Sequence, residues 1–141
     1  ECMTNYMDRW KGKHPGPYKF FNTFNNISGQ NLDWFWKPWL FEFGYPDLKL
    51  TVAKMANAVG GGPNYVAYVE RKGIIPVSIQ LEIEYTDGSK ESIHKTTEVW
   101  KKTEQRTLQI NLSEGKTPKS LRLGGNSVPD AKPKDNFWPG K

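Results

Sequence analysis

The sequence predicts a mainly β protein: an antiparallel immunoglobulin-like β-sandwich preceded by a short helical segment. Three observations predict it. Val77, Ile79, Leu81, Ile83 and Tyr85 alternate with Ser78, Gln80, Glu82, Glu84 and Thr86, the period-2 pattern of a strand with one buried and one wet face. Apolar runs separated by Gly- and Pro-containing turns continue through the second half of the chain, which gives about seven strands. The aromatics are lopsided, with thirteen of nineteen in residues 1–45, where the apolar spacing is helical. This shift places a boundary at Gly44-Tyr45-Pro46, between a helical segment over residues 1–45 and a β domain over residues 47–141.

Residues 3–11 read as the end of a helix stopped by Gly12, and His14-Pro15-Gly16-Pro17 breaks the chain after it. Pro17 suits the first position of a second helix, where a missing N–H costs nothing. Phe20, Phe21, Phe24 and Ile27 then form one apolar face, and Gly29 supplies a left-handed stop. Asn31 is the expected N-cap of a third helix, with Asp33 favoured in its first turn by the macrodipole. Leu32, Phe35, Trp36, Trp39, Leu40 and Phe43 recur along it at helical spacing. Pro38 is expected to bend this helix, and Trp34 and Phe41 lie off its main stripe, so it is apolar almost all round.

In the β domain, residues 48–58 and 64–71 are expected to pair across Gly60-Gly61-Gly62-Pro63. Asp87-Gly88 turns the strand over 77–86 into a strand over 90–100. Leu108, Ile110 and Leu112 alternate with Gln109 and Asn111, and Leu121 and Leu123 lie on a short strand before Gly124-Gly125. The tail from Asn126 reads as irregular, with Phe137-Trp138 plugging one end of the sandwich.

Composition and spacing exclude several functions. Hydrophobic residues make up 36% and charged residues 25% of the 141, and the aromatics supply the apolar area that folding needs. No stretch approaches 18 apolar residues, so no membrane span is expected. The net charge is +5, but its longest basic runs are the pairs Arg71-Lys72 and Lys101-Lys102, each with a glutamate close by. No nucleic-acid surface is expected from that arrangement. Glu1-Cys2-Met3-Thr4 shows neither an initiator Met nor a basic-then-apolar leader, as expected of a processed chain or an excised piece. Cys2, the single cysteine, excludes an internal disulfide and a cysteine-rich metal site.

Candidate chemistry is sparse. His14 and His94 are the only histidines, and neither has a His or Cys at i+3 or i+4, so zinc-ligand spacing is missing. A surface role suits His14, and a polar strand position suits His94. Gly60-Gly61-Gly62 lacks the following Lys-Ser or Lys-Thr of a phosphate loop. Glu82 and Glu84 share one strand face, whereas glycosidase chemistry needs carboxylates on opposite sides of a cleft. Asp130, Asp135 and Asn136 offer oxygen ligands for calcium, but without the dense spacing of a dedicated loop; a solvated tail is the preferred reading. No catalytic, cofactor-binding or metal residue is assigned.

Trp34, Phe35, Trp36, Trp39, Phe41 and Phe43 fall within ten residues, more than a small appendage buries alone. The chain here resembles aminopeptidase N-like zinc metallopeptidases at the end of their catalytic domain. The resemblance rests on Arg9-Trp10, His14-Pro15-Gly16-Pro17, Phe20-Phe21, the run from Ile27 to Trp36, and the exit Gly44-Tyr45-Pro46. It extends into the sandwich of bacterial members through Val69 to Gly73, Ile75-Pro76-Val77, Tyr85 to Gly88, Val99-Trp100 and Asp135 to Trp138. Gly16 stands where that family usually has Thr or a similar cap. The family's His-Glu-x-x-His zinc motif, its carbonyl-polarising tyrosine and its Gly-x-Met-Glu-Asn-type loop are missing from this chain. In the family these lie upstream, so no catalytic residue carries over.

The resemblance implies a non-catalytic C-terminal fragment whose parent holds zinc and releases N-terminal amino acids from peptides. It implies an exported or periplasmic location, and a catalytic domain of the same polypeptide docked on Phe20, Phe24, Trp34, Phe35, Trp36, Trp39 and Phe43. Weak self-association of the isolated piece follows. The alternative is a free-standing secreted carbohydrate-binding β-sandwich module, which requires two exposed indoles in one plane.

Overall fold

The computed structural model describes residues 1–55, 64–102, 104–125 and 128–140. The protein is mainly β, with two antiparallel sheets and three short helices. It divides into two compact units, Glu1–Glu42 and Phe43–Lys141.

In the first unit, α1 (Cys2–Trp10) ends before Gly12, and α2 (Pro17–Ser28) begins with Pro17 in its first turn. The two are tied where the Trp10 indole N–H donates to Thr23 Oγ1 at 3.4 Å, while that hydroxyl donates to the Lys19 carbonyl at 2.6 Å. Gly29 closes α2 with φ +64°, a left-handed geometry that disfavours any residue with a Cβ. Asn25 then clasps the next turn: its Oδ1 accepts from Leu32 N–H and its Nδ2 donates to Asp33 Oδ1, both at 3.2 Å.

The third helix is shorter than its apolar spacing predicts. It runs over α3 (Asp33–Leu40), with Leu32 at the cap position. Asn31 acts one residue earlier than expected, its Oδ1 accepting from Asp33 N–H at 2.8 Å. The Pro38 ring removes one ladder bond, and the helix closes two residues beyond it. Phe43 therefore lies outside the helix and is fully exposed.

The second unit holds seven strands: β1 (Leu48–Met55), β2 (Asn64–Arg71), β3 (Ile79–Tyr85), β4 (Lys90–Lys95), β5 (Thr107–Asn111), β6 (Pro118–Leu123) and β7 (Phe137–Trp138). Their order is β1-β2-β5 in one sheet and β4-β3-β6-β7 in the other. β1 and β2 pair from Leu48↔Arg71 to Met55↔Asn64; residues 56–58 and the Gly60-Gly61-Gly62-Pro63 turn lie outside the described residues. Val77, Ile79, Leu81, Ile83 and Tyr85 are all buried, while Glu82 is exposed and Gln80 and Glu84 are half-buried. One buried cluster draws residues from both sheets, including Leu48, Leu50, Ala67, Val69 and Ile110 from the first and Ile79, Leu81, Ile83, Leu121 and Leu123 from the second.

Two expectations are corrected in this unit. The strand over 90–100 stops at Lys95, and residues Thr97–Trp100 form a single 3-10 turn. That turn delivers Trp100 to the core, where its indole N–H donates to the Val77 carbonyl at 2.8 Å and the Arg71 guanidinium lies 5.6 Å from its ring. A continuing strand would alternate faces and could not place the ring there. The tail is also more regular than expected. A 3-10 turn over Pro133–Asn136 leads into β7, which extends the second sheet through Leu121↔Trp138 and Arg122↔Phe137. Phe137 is exposed with the Arg122 guanidinium 5.1 Å from its ring, while Trp138 is half-buried against the core cluster, so only the tryptophan of the pair covers the core.

Leu81 is fully buried between its register partners Ile93 and Leu123. Leu81→Ala is expected to lower the unfolding free energy by about 2–5 kcal/mol, the range for truncating a core leucine. Glu82→Ala on the opposite face should change it by no more than about 0.5 kcal/mol. Urea denaturation of the two variants measures both.

Candidate functional site

The start of β1 and the C-terminal tail together build a polar site. Asp47 is only 2% exposed. Its carbonyl accepts from Lys72 N–H at 2.8 Å and Gly73 N–H at 3.1 Å, which fixes its backbone. Gly73 fits there because a Cβ would strike the backbone of Tyr45 and Asp47. Asp130 reaches the same place from the tail. Its Oδ2 accepts from Leu48 N–H at 2.8 Å, its Oδ1 from Lys132 N–H at 2.7 Å, and Ala131 N–H donates to the Pro46 carbonyl at 3.0 Å. Asp135 completes the group: carboxylate oxygens of Asp47, Asp130 and Asp135 lie within 4.8 Å of one another.

The electrostatics follow from this crowding. Burial, and then the Asp130 charge, raise the Asp47 pKa above its ordinary value; Asp135 adds a smaller push, and Lys132 and Lys72 pull the other way. Asp47 Oδ1, Asp135 Oδ1 and Asn136 Oδ1 are buried without a hydrogen-bond partner. Asn136 itself is 4% exposed. Buried oxygens without donors carry a desolvation penalty, and Asp47, Asp135 and Asn136 each contribute one here.

Of the sequence candidates, Asp130 and Asp135 meet here and Asn136 follows directly. Asp47 joins them from the far end of the domain, and sequence spacing gave it no signal. His14 is exposed in the first unit and His94 is exposed on β4. Asp47, Asp130 and Asp135 form the one group of three acidic, His or Cys side chains close enough to share an ion among the described residues. It contains no nitrogen or sulfur, so the residues present do not fit the zinc that the family resemblance implies for the parent.

Two further polar features are spent on structure. Glu84 takes a 2.7 Å ion pair from Lys119, which lowers its pKa, while Glu82 stands exposed beside it. The Tyr85 hydroxyl donates to Glu91 Oε2 at 2.5 Å, Ser113 Oγ donates to the same oxygen at 2.8 Å, and Ser113 N–H donates to the Tyr85 hydroxyl at 3.2 Å. Burial raises the Tyr85 pKa, and the Glu91 acceptor adds to it.

Comparison of the chain with protein-family models, with curated proteins and with solved structures returns no match.

A raised Asp47 pKa fixes the sign of a pH effect. Below the ordinary aspartate pKa of about 3.9 the group is protonated in both states and its contribution is fully present. As pH rises, the unfolded chain releases the proton first, so native stability falls until Asp47 also ionises in the folded state. In metal-free buffer, wild type should therefore lose stability relative to Asp47→Asn as pH rises through and above about 3.9. Thermal denaturation across that rise checks it; a difference that stays constant with pH would contradict the assigned shift.

Proposed function

We propose that this chain is the C-terminal, non-catalytic part of an aminopeptidase N-like zinc metallopeptidase, in which an immunoglobulin-like sandwich follows the last helices of the catalytic domain. The order of motifs carries the proposal: His14-Pro15-Gly16-Pro17, the run from Ile27 to Trp36, Gly44-Tyr45-Pro46 and Asp135-Asn136-Phe137-Trp138 follow one another as in that family. The fold is compatible with it. Seven strands in two antiparallel sheets share one buried cluster, the composition a sandwich requires.

The role proposed for the helical unit is contact with the catalytic domain. Its aromatics pack largely on one another, with Trp36 among Phe20, Phe21, Phe24 and Phe35 at centroid distances of 5.2–5.8 Å. Trp39, Leu40 and Phe41 remain exposed at 38%, 58% and 53%, and Phe43 follows. Exposed apolar groups in sequence on one short element favour a protein partner. The carbohydrate-binding alternative draws no support from these rings, because Trp36 spends its faces on phenylalanines and Trp34 is half-buried.

Separated from that partner, the apolar surface should pair with itself weakly. Burial supplies about 25 cal/mol per Å², set against association costs of several kcal/mol. Sedimentation is expected to show a rising weight-average mass as the chain approaches about 1 mM, and Trp39→Glu with Phe43→Glu should abolish the rise. A chain that stays monomeric throughout contradicts the docking role. The chain alone is expected to release no N-terminal residue from peptide substrates, since the His-Glu-x-x-His motif that activates water in that family is missing from its sequence.

A further inference from the structure

We propose that Asp47, Asp130 and Asp135 bind one Ca²⁺ ion, which ties the start of β1 to the C-terminal tail. Two oxygens on opposite sides of Ca²⁺, at 2.3–2.6 Å each, are about 4.6–5.2 Å apart. The three carboxylates already offer oxygens within 4.8 Å of one another, so one ion reaches all three with little rearrangement.

A second observation points to a ligand in that space. Asp47, 98% removed from solvent by its 2% exposure, sends its carboxylate into the cluster with Oδ1 unpartnered, and Asp135 Oδ1 is buried and unpartnered too. Lys132 and Lys72 act on Asp47 through their charge, but among the described residues neither forms an ion pair with the cluster. Lys72 spends its ammonium on Glu70 at 2.9 Å. Asp130 uses one lone pair of each oxygen on Leu48 and Lys132 N–H groups; each oxygen retains another for a cation.

The donor chemistry selects the ion. Three hard carboxylates without nitrogen or sulfur suit Ca²⁺ or Mg²⁺ and not zinc. Asp47 and Asp130 are held by backbone hydrogen bonds from separate parts of the chain, whereas Mg²⁺ demands a near-ideal octahedron at 2.0–2.1 Å and is usually held by one or two carboxylates with several waters. Ca²⁺ accepts irregular six- to eight-fold coordination. Asp130 and Asp135 are only partly buried, which leaves an open side for water ligands. Asn136, with its own buried unpartnered Oδ1, follows Asp135 and leads into β7. An ion here would couple the edge strand of each sheet, β1 and β7, through residues next to them in sequence.

This inference does not depend on the peptidase assignment. The test uses the whole chain, stripped with chelator and exchanged into metal-free buffer, then titrated with CaCl₂ or MgCl₂ at fixed ionic strength and followed by thermal denaturation and calorimetry. Binding heat with a dissociation constant of about 10⁻⁵–10⁻³ M is expected. The melting temperature should rise by several degrees once Ca²⁺ exceeds that constant a hundredfold. Asp135→Asn, at a partly exposed position, should weaken Ca²⁺ binding at least tenfold while keeping the metal-free circular dichroism spectrum; Asp47→Asn should do the same. Absence of heat and of a Ca²⁺-dependent rise in wild type would overturn the proposal whatever the variants do. An equal rise with MgCl₂, or an undiminished rise in both variants, would overturn it as well.

Discussion

β3 has a hydrogen-bonded partner on each side and a buried residue at every second position, so its register determines those of β4 and β6. A slip of one residue would put Gln80, Glu82 and Glu84 into the core and Ile79, Leu81 and Ile83 into water, at several times the energy of any single contact. The flanking elements depend on that choice. Trp100 anchors to the Val77 carbonyl just before β3, and the buried Tyr85 at its end holds Glu91 on β4 and Ser113 beyond β5. Leu48, Val69 and Ile110 from the other sheet close the same cluster.

The helical unit solves its burial problem differently. No long core exists for α1, α2 and α3 to share, so rings pack edge-to-face on rings around Trp36, each pair adding about 0.5–1.5 kcal/mol beyond area burial. This satisfies Phe20, Phe21 and Phe24 but leaves the end of α3 and the residues after it uncovered. The proposed docking role gives that remainder a purpose and explains why an eight-residue helix is made of such costly side chains.

Much of the β unit is legible in the sequence because period-2 alternation is a direct record of one-sided burial. It marks β3, β5 and β6, and Asp87-Gly88 marks the turn between β3 and β4: Gly88 N–H donates to the Tyr85 carbonyl at 3.0 Å and Asp87 Oδ1 accepts from Ser89 N–H at 2.8 Å. The 3-10 turn before Trp100 leaves no such record, since four residues are too few for a period and only the tertiary demand for the ring selects the turn. The end of α3 is hidden for a related reason: Phe43 keeps helical spacing, while the helix closes at Leu40, two residues past Pro38. Two of the three carboxylates of the acidic site, Asp130 and Asp135, are visible in the sequence together with Asn136. Asp47 is not, because its place beside them depends on the backbone bonds of Leu48, Lys72 and Gly73.

The proposed account assigns this chain a supporting part in a larger hydrolase: helices that face a catalytic domain and a β unit whose two ends meet at an acidic junction. The most direct measurement is the zinc content and aminopeptidase activity of the polypeptide encoded when the reading frame is extended upstream of Glu1. The account predicts a His-Glu-x-x-His segment in that extension, stoichiometric zinc, and release of N-terminal residues from peptides that is lost when either motif histidine is replaced. An extension without that motif, in a protein that retains no zinc and releases no N-terminal residue, would contradict it.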